Sequence, residues 1–130
     1  MRSIMKIMLA SLLLVNVLSI TREARAANEK IKTLIVTGFD VPSHKWEESS
    51  RTVHAILEES GRFDVTVSAD KGVFGSAELK DYDVVILSFG FWKEAEPGTQ
   101  AKSGLIDYVK NGGSVVALHF ACSSFQDWEE

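Results

Sequence analysis

Tyr82-Asp83-Val84-Val85-Ile86-Leu87-Ser88-Phe89 is the stretch on which the fold class turns. Its apolar run is too short for a helix and rich in β-branched residues, so it reads as a strand. No polar residue alternates within Val84–Leu87. Both faces of this strand are therefore covered, which is the signature of a parallel sheet with helices on either side. Working outward, Ile31–Thr37 (IKTLIVT) repeats the pattern and stops at Gly38, and Ser114–His119 (SVVALH) forms a fourth strand. Phe63–Ser68 (FDVTVS) alternates apolar with polar residues instead, as an outer strand with one covered face does.

Helical periods fill the gaps. Lys45–Ser60 carries Trp46, Val53, Ile56 and Leu57 on one stripe, with Ser43 placed to cap it and Gly61 to stop it. Thr99–Lys110 turns Ala101, Leu105, Ile106 and Val109 inward and ends at Asn111-Gly112-Gly113. Ser76–Lys80 has room for one helical turn, Phe120–Ser124 is a turn of small residues, and Phe125–Glu130 begins a further helix. Strands alternating with helices imply right-handed crossovers and a three-layer α/β/α architecture. The expected strand order is the flavodoxin-like 2-1-3-4. A fourth strand without a neighbour leaves a sheet edge open, so the chain reads as one domain over residues 27–130 whose C-terminal part is missing.

The first 26 residues stand apart. Two basic residues within Met1–Lys6, the apolar run Ile7–Ile20 and the small residues of Ala24-Arg25-Ala26 form the three parts of a secretory signal. Such a run is shorter than the roughly 20 residues that a bilayer requires. The expectation is export to the periplasm or the extracellular space of a bacterium. Removing Arg2, Lys6, Arg22, Arg25 and Glu23 makes the remainder more acidic than the whole chain, whose net charge is −4. An acidic chain with no basic cluster is a poor partner for nucleic acid or an anionic membrane. Cys122 is the single cysteine, so no disulfide forms within the chain.

Several chemistries lack their motifs. Gly38-Phe39-Asp40-Val41 is not a dinucleotide fingerprint, and no P-loop, H-E-x-x-H, C-x-x-C or G-x-S-x-G is present. In an open parallel sheet, ligands bind beyond the carboxyl ends of the strands, where the strand order reverses. Those ends are Gly38–Trp46, Ser88–Trp92 and His119–Ser124, and they hold two of the three histidines, His44 and His119. Imidazoles titrate near neutrality, so this pair suits acid/base work, the orientation of a hydroxyl or the ligation of a metal. The plainer readings are a loop histidine at 44 and a structural histidine that ends a buried strand at 119. His54, in mid-helix, reads as solvated. Trp92, in a loop, is placed to stack on a sugar ring, whereas Trp46 serves either that role or the core. Asp40 is a candidate for holding a hydroxyl or orienting His44, against its ordinary use in turns. Cys122 falls two or three residues beyond the position that a strand-to-helix elbow gives its nucleophile.

Together these segments resemble a known family. Leu34-Ile35-Val36-Thr37-Gly38, His44-Lys45-Trp46 and Gly61-Arg62-Phe63-Asp64-Val65 are similar to the opening of ThuA-like (trehalose utilisation) proteins. Asp81–Val85, Tyr108–Gly113, Val115–His119, Ser124-Phe125 and Trp128 continue the likeness in order. The resemblance implies a class I glutamine amidotransferase-like fold and a place in the catabolism of trehalose or a related disaccharide or keto-sugar. It maps His44, Trp46 and His119 onto the family's pattern; taken with their strand-end placement, His44 and His119 are the candidate catalytic groups and Asp40, Trp46, Trp92 and Ser124 the candidate substrate contacts. It also implies a small-molecule carbohydrate as ligand and a sugar dehydrogenase as partner, and it names no cofactor and no metal. The elbow cysteine of the amidotransferases has no counterpart in Leu118-His119-Phe120. A binding-only module that presents a sugar to a partner enzyme is the alternative, and an interaction domain on the same fold is a third.

Overall fold

The computed structural model describes residues 29–38, 41–90, 95–126 and 128–129, so the expected signal segment, Asp40 and Trp92 lie outside the described residues. Four strands, β1 (Ile31–Val36), β2 (Phe63–Ser68), β3 (Val84–Leu87) and β4 (Ser114–Ala117), form one sheet in the order β2-β1-β3-β4. Every pairing is parallel, with Ile35 opposite Val67 and Ile86, and Ile86 opposite Val116. The architecture is α/β in the expected flavodoxin-like order. Helices α1 (Trp46–Glu59) and α2 (Thr99–Lys110) supply two of the crossovers.

The pleat divides the sheet into two unequal faces. Leu34, Val36, Val85 and Leu87 point to one side and meet Phe74, Leu79, Ala101, Leu105 and Tyr108 in the main core. Thr33, Ile35 and Thr37 point the other way, toward α1, and are equally inaccessible. Each fully buried Leu, Ile or Val in this set is worth about 1.5–3 kcal/mol, so the two central strands anchor the domain.

Local details depart from the expected pattern for identifiable reasons. Lys45, not Ser43, stands at the N-cap of α1, and it makes no side-chain capping hydrogen bond. On α1 only Ser50 is buried, and Ile56 is 61% exposed. On α2 Tyr108 takes the inward position expected of Val109, which is 49% exposed, because Ala101, Leu105 and Tyr108 stand at i, i+4 and i+7 on one stripe, and the tyrosine ring covers Gly113. Residues 71–75 and 79–81 form two short 3-10 turns instead of a single turn at 76–80. The helix expected from Phe125 does not form among the described residues, and a 3-10 turn occupies His119–Ser123. All four residues of β4 are exposed, Val115 on one face and Val116 on the other, so neither face of this edge strand is fully covered by the described residues.

Candidate functional site

Gly38 directs the chain out of β1 with φ of +107°, and a β-carbon there would lie 2.8 Å from the Ala69 carbonyl oxygen. Only glycine satisfies both conditions. Beyond it the chain closes a tight turn in which the His44 N–H donates to the Val41 carbonyl at 2.8 Å, and the Trp46 N–H donates to the His44 carbonyl at 3.0 Å. His44 is thereby placed beside the first turn of α1. On the far side, β4 ends and His119 takes φ of +48°, one of two non-glycine residues with positive φ among those described, the other being Phe125.

These two strand ends converge. The His44 and His119 rings lie 5.2 Å apart between centroids at 66°, and Phe120 sits at the same distance from His44 at 76°. They line a cleft of about 430 Å³ with Ser43, Trp46, Ser88 and Phe89. The cleft lies where the strand order reverses between β1 and β3, the position at which open α/β sheets take ligands. Its rim carries the ion pair between Lys45 and Glu48 at 3.3 Å, both ends well exposed. Solvent screens such a pair, so it contributes little to stability.

His44 is half-buried and His119 is exposed. The plainer reading of His119 as a structural histidine ending a buried strand is thus corrected, because β4 is exposed along its length and His119 with it. Trp46 is half-buried against the cleft and sits outside the core, and His54 is half-buried on α1. Ser124 lies elsewhere. Its N–H closes the 3-10 turn onto the Ala121 carbonyl at 3.1 Å, and its side chain lines a second groove of about 500 Å³ between α2 and β4. The exposed thiol of Cys122 lies in that groove too. No three His, Cys, Asp or Glu side chains converge as a metal site among the described residues, so the pair supplies two nitrogen ligands at most.

Beneath the cleft, Thr37 and Ser50 were missed in the sequence. Both are buried, and they join β1, β3 and α1 through their hydroxyls. Thr37 at a strand end and Ser50 four residues into a helix are unremarkable in sequence. The available signal was Thr37 directly after the buried run of β1, and Ser50 four residues after Trp46 on the apolar stripe of α1.

The sequence profile of the ThuA family, described as trehalose utilisation, matches residues 32–130. Among solved structures, the chain is similar to a ThuA-like protein from Parabacteroides merdae, at 32% identity and a TM-score of 0.65, over 77% of this chain and 36% of that one. A ThuA-like protein from Bacteroides uniformis matches at 21% identity and a TM-score of 0.54, over 70% of this chain and 36% of that one, and supports the fold alone. The chain therefore spans about a third of the length of these relatives. No curated protein matches it. A profile match over nearly the whole described domain, together with a relative 32% identical over 77% of this chain, shows that this chain belongs to the ThuA trehalose-utilisation family.

Proposed function

We propose that the cleft between His44 and His119 binds a carbohydrate, trehalose or a related disaccharide or keto-sugar, in an exported protein. The observation that carries this reading is the 5.2 Å approach of two imidazoles from opposite strand ends at the reversal of strand order. Two such rings can share the work of removing and returning a proton on a bound hydroxyl, one as base and the other as acid. Trp46 and Phe120 offer apolar ring surface to the sugar, and Ser43 and Ser88 line the cleft with polar groups. Lys45 and Glu48 lie within reach of further hydroxyls.

The test is turnover and binding by the full chain on a panel of trehalose, its keto derivative and related disaccharides. Turnover that disappears in His119→Ala and in His44→Ala is the expected outcome. Saturable binding without turnover would instead identify a module that presents sugar to a partner such as a sugar dehydrogenase. The absence of both binding and turnover would overturn the carbohydrate reading.

A further inference from the structure

Resting on that reading of the cleft, we infer that Thr37 and Ser50 are positioning residues that set the geometry of the histidine pair. Thr37 is 1% exposed and Ser50 is 3% exposed. Thr37 carries one hydroxyl hydrogen, and it goes to the Ser88 carbonyl at 2.9 Å, with Ser50 Oγ at 3.4 Å as the weaker branch. Ser50 Oγ in turn donates to the Trp46 carbonyl one turn earlier on α1. The Trp46 N–H holds the His44 carbonyl. A continuous polar path therefore runs from the end of β3, through the end of β1 and the first turn of α1, to the backbone of His44.

Packing alone does not call for these hydroxyls. Valine at 37 and alanine at 50 would fill nearly the same space without burying polar atoms, and replacing both partners of a buried hydrogen bond by apolar groups is often close to neutral in stability. What the hydroxyls add is direction. They fix Ser88, which lines the cleft, and the start of α1 to one point under the site. Without them, α1 can slide on an apolar surface and the 5.2 Å ring separation is no longer enforced.

The experiment compares Thr37→Val, Ser50→Ala and the conservative Thr37→Ser in the full chain. Two readouts are used, the ring-proton resonances of His44 and His119 in the free protein and the dissociation constant for trehalose. Thr37→Val and Ser50→Ala are expected to move both histidines' resonances and to weaken trehalose binding about three- to tenfold, the scale of one buried hydrogen bond. Thr37→Ser is expected to restore both. Folded Thr37→Val and Ser50→Ala proteins whose histidine resonances superpose on the parent's would overturn the inference. If Thr37→Val does not fold, Ser50→Ala decides alone, since alanine is well tolerated within a helix. If the parent binds no trehalose, the resonances still decide positioning, and only the carbohydrate reading falls.

Discussion

Replacing His119 by glycine should leave a more stable protein than replacing it by alanine, although both remove the same imidazole. His119 holds φ of +48° at the exposed end of β4. An L-residue with a β-carbon pays about 1–2 kcal/mol in this region, and glycine pays essentially none. Glycine also gains freedom in the unfolded chain, which costs the folded state about 0.4–1 kcal/mol. The net preference for glycine over alanine is thus about 0.5–1 kcal/mol. In a domain of this size that is a Tm about 2–6 °C higher, measurable by calorimetry or circular dichroism. Both variants lose the edge contact with His44, so this contribution cancels between them. Phe125, at φ of +60°, supplies the contrast. Its ring stacks on Trp128 at 4.1 Å and meets Phe89 at 5.9 Å, so Phe125→Gly should be strongly destabilising despite the relief of strain. Strain at Phe125 is held by packing; strain at His119 is held for the side chain. An alanine variant that melts at or above the glycine variant would refute this account of position 119.

Three further outcomes follow from the fold. A β-carbon at Gly104 would sit 2.0 Å from the Phe74 carbonyl oxygen, so Gly104→Ala should cost about 2 kcal/mol or more in urea unfolding; unchanged stability would refute the close approach of α2. Burial pushes the Tyr108 phenol above its ordinary value of 10.0, outweighing a hydrogen bond with the Ser114 backbone. Its contribution is therefore complete below about pH 10 and falls as pH rises through the higher folded value, an alkaline loss that Tyr108→Phe should remove from a stability-against-pH curve. Val116 is 43% exposed on an edge strand without a single charged residue, so Val116→Lys should reduce concentration-dependent association in sedimentation velocity, and unchanged association would count against edge pairing.

The sheet was legible because its signals are local. Val84–Leu87 and Leu34–Val36 are apolar on both faces, and that pattern has one common solution. The strand-end histidines were legible for a related reason: parallel strands deliver their carboxyl ends to one rim, so residues remote in sequence arrive together. What could not be read was orientation around a turn. Ser124 follows His119 by five residues, yet the intervening 3-10 turn carries it to the groove on the α2 side. Tyr108 in place of Val109 was within reach of helical periodicity, since Ala101, Leu105 and Tyr108 stand at i, i+4 and i+7; its hydroxyl disguised it as a surface residue. The hydroxyls of Thr37 and Ser50 escaped notice because their importance lies in a meeting of three elements.

The geometry of the turn after β4 also bears on which chemistry the domain can perform. In an elbow-type site the reactive atom belongs to the residue at the sharp bend, where backbone strain lifts the side chain out over the sheet rim. Here the residue with positive φ at the bend is His119, and its ring faces His44 across the cleft. The thiol lies three residues further on, exposed in the other groove, with α2 and β4 as its neighbours and no histidine among the lining residues. Thiolate attack on an amide needs a base within hydrogen-bonding reach of the sulfur and a bound carbonyl beside it. Among the described residues the bend itself therefore carries an imidazole and not the thiol, and an imidazole is a group suited to moving protons on hydroxyls.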